Sequence, residues 1–160
     1  MKMNKRHLFI DPAVHNADLL TAGQQAGTTV HTLAASGDPL AQISAVLSGT
    51  SDVSHLSILA HGAPGAVELS GQRIDSAALK ANRHNLDRIR DALAPDAELT
   101  LISCETGAGP AGADLVESLE QVLGVTVHAA ATRIGGEAGW AGLPVASDLF
   151  RASALAAFPE

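Results

Sequence analysis

A chain of 160 residues with 46% hydrophobic content is long enough for one sizeable core and too apolar for disorder. Aromatic residues are only 2%, with Trp140 the single tryptophan, so that core is built from Leu, Val, Ile and Ala. A formal charge of −7 argues against a nucleic-acid partner, because such domains carry a basic patch, and the one basic cluster here, Lys2, Lys5 and Arg6, reads as a frayed N-terminus.

The elements follow in order as strands alternating with helices. "HLFID", His7–Asp11, is a short apolar run that ends in Asp-Pro, a strand followed by a turn. "NADLLTAGQQAG" reads as a helix capped by Asn16 and stopped by Gly27. "TTVHTL", Thr28–Leu33, is β-branched and reads as a second strand. "GDPLAQISAVLSG" is a helix, with Asp38 at its cap, Pro39 at its first position and Gly49 past its end; Leu40, Ile43 and Leu47 share one face.

"HLSILA", His55–Ala60, is a third strand, and "GAVELSGQRID" a small hairpin around Ser70-Gly71. One helix is expected over 76–93, with Leu79, Leu86, Ile89 and Leu93 as its buried stripe and Asn82 an odd member of it. "AELTLIS", Ala97–Ser103, is a fourth strand, and "GPAGADLVESLEQVLG" a helix with Leu115, Leu119 and Val122 inward and Gly124 as its stop. "VTVHAAA", Val125–Ala131, is a fifth strand. The stretch 132–160 carries Gly135, Gly136, Gly139 and Gly142 and reads as a Gly-rich loop and tail, in which "LPVA" offers a short sixth strand. The whole of 1–160 is expected to be a single domain.

Near-continuous apolar strands alternating with helices mean a mainly parallel sheet covered on both faces, a three-layer α/β sandwich. Ligands of such sheets bind outside the carboxyl ends of the strands. Asp11, His61 and Cys104 stand at three such ends.

Cys104 is the only cysteine, which excludes an internal disulfide and a cysteine-rich zinc site. A thiol at a strand end, close to a helix start and within reach of a histidine, is placed for reactivity. In "SILAHGAPG", Gly62 follows His61 and lets the backbone approach a ligand closely. The amides of Gly62 and Cys104 are candidate oxyanion donors. His7, His15, His31, His55, His84 and His128 lack a ligand spacing such as His-x-x-x-His, so no metal is implied, and no cofactor is expected. "GAGPAG", Gly107–Gly112, lacks the Lys-Ser/Thr of a phosphate loop and reads as turn glycines.

The pattern of apolar strand–His–Gly followed by apolar strand–small–Cys resembles the caspase-type cysteine peptidases: caspases, legumain, gingipains, clostripain and separase. "SILAHG" resembles their histidine block. "LISCETG" resembles their cysteine block, and "SCETG" is close to the legumain form. The His61–Cys104 spacing is near the about 50 residues of caspases. The resemblance spans roughly Leu8 to Ala131, and together with right-handed crossovers it implies the strand order 2-1-3-4-5. Within it, "FID", "AHG" and "GGEAGW" look most like a bacterial domain found at the start of very large, repeat-rich surface proteins. The chain departs from caspases in having Ser103 before the cysteine and Thr106 where they have glycine, and in lacking an obvious activation site between two subunits.

The resemblance implies a peptidase with a His61/Cys104 dyad, Cys104 as nucleophile and His61 protonating the leaving amine. Its substrate is a peptide or protein, the chain's own parent included. It also implies that the loop after the first strand reads the side chain before the cut bond. Asp11 is the candidate there, and would favour Arg or Lys. The other reading of Asp11 is a turn residue that accepts backbone N–H groups. Two further classes stay open: an inactive relative serving as a binding or assembly module, and another hydrolase or acyl transferase using the same dyad. No apolar run approaches about 18 residues, so no membrane span is expected. "MKMNKRHLFIDPAV" lacks the apolar segment of a signal peptide. The default location is cytoplasmic, or secreted or cell-surface if a larger exported protein carries the domain.

Overall fold

The structure, a computed structural model, describes residues 5–14 and 28–132. The expected helix at Asn16, the Gly-rich segment and the "LPVA" strand lie outside them. Five strands form the main sheet: β1 (Lys5–Ile10), β2 (Thr28–Thr32), β3 (Val53–Leu59), β7 (Leu93–Ile102) and β8 (Thr126–Ala129). Their order is β2-β1-β3-β7-β8, and every neighbouring pair is parallel. This is the order expected from right-handed crossovers together with the family resemblance. A second, three-stranded antiparallel sheet holds β4 (His61–Ala63), β5 (Ala66–Leu69) and β6 (Gln72–Ile74).

Four helices are described: α1 (Pro39–Leu47), α2 (Ser76–Ala81), α3 (Arg83–Ala92) and α4 (Gly109–Leu123). Phe9, Leu56, Ile58, Leu99, Leu101 and Val127 cluster with α1 Leu40, Ile43 and Leu47, α3 Leu86 and Ile89, and α4 Leu115, Leu119 and Leu123. The strand residues between them in sequence, Leu8, Ile10, Leu59 and Ile102, point to the opposite face because successive strand side chains alternate. They too are buried, with Leu8 and Ile102 at 0% exposure. A mainly parallel α/β sheet flanked by helices and buried on both faces is the arrangement expected of a three-layer sandwich.

Local chemistry explains most boundaries. The Asp38 carboxylate accepts from Leu40 N at 3.0 Å and Ala41 N at 3.2 Å, and Pro39 needs no donor at the first helical position. Gly124 ends α4 in the left-handed region at φ 67°. The β5–β6 turn has φ 51° at Ser70 and 76° at Gly71, the backbone that a two-residue hairpin loop demands.

Three boundaries differ from the sequence reading: β7 opens at Leu93, which was expected in the helical stripe, four residues before Ala97. The helix expected over 76–93 is two helices, broken at Asn82. The Asn82 side chain donates to Ala78 O at 2.8 Å, and its φ of −115° leaves the helical range. A short polar side chain competing with the backbone is what breaks the run there. His61 does not simply end β3. It opens β4, a separate strand that turns into the small sheet.

The sheet also carries polar side chains that strand periodicity did not foretell. Glu98 on β7 bridges His55 on β3 at 3.2 Å and His128 on β8 at 2.9 Å. The His128 hydrogen bond, with the charges of both histidines, holds the Glu98 carboxyl below its ordinary value. His7 on β1 bonds His31 on β2 at 3.0 Å, and Phe9 stacks on His31. Burial pushes the His31 imidazole down from its ordinary value.

Candidate active site

The candidate residues are brought together by register. Ile10, Leu59 and Ile102 are aligned across β1, β3 and β7. The pairing continues one step further, with Asp11 N donating to Leu59 O at 2.9 Å and Ala60 N to Ile102 O at 3.2 Å. His61 and Cys104 therefore each stand two residues past the aligned ends of adjacent central strands, which lie about 4.8 Å apart.

Gly62 closes the gap between them. A methyl group built on its Cα would land on the Thr106 hydroxyl, 2.5 Å from the Cys104 carbonyl oxygen and 2.9 Å from Ser103 Cβ. Only a residue without a side chain lets β4 lie this close to the cysteine turn. Close backbone approach after His61, read from the sequence, is thus an approach to the protein's own Cys104 segment.

The turn that carries Cys104 is held from several sides. The buried hydroxyls of Ser103 and Thr106 bond each other at 2.6 Å, and Thr106 donates to Ala66 O at 3.1 Å. Gly65 N donates to Thr106 O at 3.0 Å, Glu105 N to Thr132 O at 2.9 Å and Gly107 N to Ala130 O at 2.8 Å. Glu105 adopts φ 60°, a left-handed conformation that a non-glycine residue keeps only when its surroundings impose it. Cys104 is half-buried on this braced turn, and Glu105 is exposed beside it. The departures at Ser103 and Thr106 thus have a local reason: their hydroxyls brace the turn.

His61 is exposed, and its Nε2 lies 3.1 Å from Ala13 O, in the loop after β1. A carbonyl oxygen only accepts, so the ring proton sits on Nε2, and Nδ1 carries the lone pair. A backbone carbonyl thus fixes both orientation and tautomer, the job that an aspartate does in Ser-His-Asp triads. Ala13 carries no sequence signal for this role, because any residue has the same carbonyl.

Asp11 does not stand at a pocket rim, and the expectation that its carboxylate reads a basic substrate side chain is corrected. It is 2% exposed. Its Oδ1 accepts from Ser70 N at 2.7 Å, and its Oδ2 from Ala13 N at 3.1 Å. The first bond ties the β5–β6 hairpin to the end of β1. The second shapes the loop whose carbonyl meets His61. Asp11 therefore supports the site from beneath. The turn role was the alternative reading of "FIDP"; the bond to Ser70 was not legible there.

Among the described residues, no group of three or more His, Cys, Asp and Glu side chains could hold a metal ion. Residues 8–142, which include Asp11, His61 and Cys104, match the model of a family described as a domain of unknown function, DUF4347. The chain belongs to this family. No curated protein matches it. Among solved structures it is similar to one described as "Crystal structure of a small-chain dehydrogenase", at 14% identity over 74% of this chain and 73% of that one, with a TM-score of 0.36. No helix among the described residues is long and apolar enough to cross a membrane.

Proposed function

We propose that this DUF4347 domain is a caspase-like cysteine peptidase, with Cys104 as nucleophile and His61 as acid and base. The observation that supports it most is the contact of Gly62 with the Cys104 segment, which joins the histidine strand and the cysteine turn at one sheet edge. The Cys104 thiol gives its proton to His61 Nδ1, and the sulfur attacks a peptide carbonyl carbon. The amides of Gly62 and Cys104 hold the resulting oxyanion. As the carbon–nitrogen bond breaks, His61 returns the proton to the leaving amine, and water then hydrolyses the thioester. The Ala13 carbonyl keeps Nε2 protonated, so Nδ1 is the atom that moves the proton. The substrate is a peptide segment, the parent chain of the domain included.

The test is hydrolysis of a peptide library, and of the parent protein, by wild type, Cys104→Ala and His61→Ala, with thiol labelling followed by mass spectrometry. Both variants should fold and lose turnover, and the label should sit on Cys104. Full activity in Cys104→Ala would place the nucleophile elsewhere. A Cys104 that no reagent reaches in the folded protein, with no hydrolysis, would leave a binding or assembly module. Transfer of the acyl group to an acceptor other than water would make it an acyl transferase.

A further inference from the structure

We infer that Glu68 is a positioning residue that stabilises the protonated form of His61, an inference that rests on the dyad reading above. The antiparallel register sets Glu68 on β5 directly opposite His61 on β4. Directly opposed residues share a face of the sheet, with Cβ atoms about 4.5–5.5 Å apart. Burial along β5 agrees: Val67 and Leu69, on the opposite face, are buried, and Glu68 is its one exposed position.

The chemistry needs such a group. When Cys104 passes its proton to His61, the imidazole becomes a cation. The Ala13 carbonyl orients the ring but carries no formal charge to balance it. Among the described residues, the titratable and charged side chains on the surrounding elements are Asp11 from the loop after β1, Glu68 from β5, Arg73 and Asp75 at β6, and Cys104 and Glu105 from the cysteine turn. The Asp11 carboxylate is buried and engaged with Ser70 N and Ala13 N. Glu105 belongs to the cysteine turn and not to the histidine strand. Glu68 alone stands on the histidine side as an exposed carboxylate.

Arg73 lies opposite Glu68 on its other flank, and its Nε is 3.5 Å from Asp75. His61, Glu68 and Arg73 therefore form one row across the small sheet, with the carboxylate between two nitrogen bases. Arg73 is shared with Asp75, so its charge is not spent wholly on Glu68. Proton transfer from Cys104 Sγ to His61 Nδ1 leaves a thiolate and an imidazolium, and Glu68 lowers the energy of the second.

The experiment is the rate of Cys104 alkylation by iodoacetamide, a neutral reagent, from acid to mildly alkaline pH at low and high salt. Wild type, Glu68→Gln, Glu68→Asp and His61→Ala are compared, with circular dichroism confirming the fold of each. Glu68→Gln should slow alkylation at neutral pH by about two- to five-fold, the range for an exposed cross-strand charge pair, and move the profile to higher pH. Glu68→Asp should recover most of the rate, and high salt should shrink the difference. His61→Ala should lose more than Glu68→Gln. Equal rates for Glu68→Gln and wild type at every pH, alongside a slowed His61→Ala, would overturn the role of Glu68 and leave the dyad standing. An unchanged rate in His61→Ala would overturn the dyad itself.

Discussion

Gly62→Ala tests the close approach on which the candidate site depends. The added methyl would meet the Thr106 hydroxyl, the Cys104 carbonyl oxygen at 2.5 Å and Ser103 Cβ at 2.9 Å. Two of these are a backbone oxygen and a Cβ atom, which cannot swing aside as the end of a long side chain would. The segment of β4 must then move off the turn. Overpacking of this kind costs about 1–3 kcal/mol. Displacing Thr106 also strains its bonds to Ser103 at 2.6 Å and to Ala66 O at 3.1 Å, at about 1 kcal/mol for each one lost. The expected loss is about 2–4 kcal/mol. In urea, with a slope of about 2 kcal/mol/M, it lowers the unfolding midpoint by about 1–2 M. Gly49→Ala is the control, since a methyl there meets nothing within 4 Å, and its effect should stay within about 0.5 kcal/mol. A Gly62→Ala protein as stable as that control would refute the contact, and with it the argument that joins β4 to the cysteine turn.

Asp11→Asn should destabilise by about 1–3 kcal/mol in the same assay, because one of the two backbone N–H groups now facing a carboxylate oxygen would face an amide NH2; a neutral result would return Asp11 to the solvent. Thr106→Val keeps the shape but strips the buried hydroxyl from Ser103 and Ala66 O, and should cost about 1–3 kcal/mol; stability equal to wild type would mean that the hydroxyl pair does not brace the turn. Acid should weaken the fold in two steps. His31 lies below its ordinary 6.5 through burial, and Glu98 below its ordinary 4.5 chiefly through the His128 bond. Each therefore stabilises the fold above its ordinary value and loses that contribution as the pH falls through the lowered one. The urea midpoint should begin to fall below pH 6.5, less so in His31→Asn, and again below pH 4.5, less so in Glu98→Gln. A flat midpoint down to the acid limit of the native state would contradict both.

The strand order needed crossover handedness and the family resemblance together, whereas the strands of the main sheet, the Asp38–Pro39 helix start, the Gly124 stop and the Ser70-Gly71 turn were legible in the sequence alone. These are written in local terms: apolar runs, caps and residues that tolerate positive φ. The same locality brought Asp11, His61 and Cys104 to one edge, since parallel strands put their carboxyl ends together. Local signals were weaker at Asn82, where a helical stripe ran on through a side chain that bonds back to Ala78 O and breaks the helix. They were silent on the partner of Asp11, Ser70 N, which is 59 residues away, and on the acceptor for His61, Ala13 O, which is 48 residues away. They were silent also on the bridges from Glu98 to His55 and His128. A backbone amide or carbonyl is the same in every residue, and a half-buried acid or histidine has no periodic signature. Which of them meet is settled only when the register of β4 on β5 and the docking of the hairpin on β1 bring distant segments together.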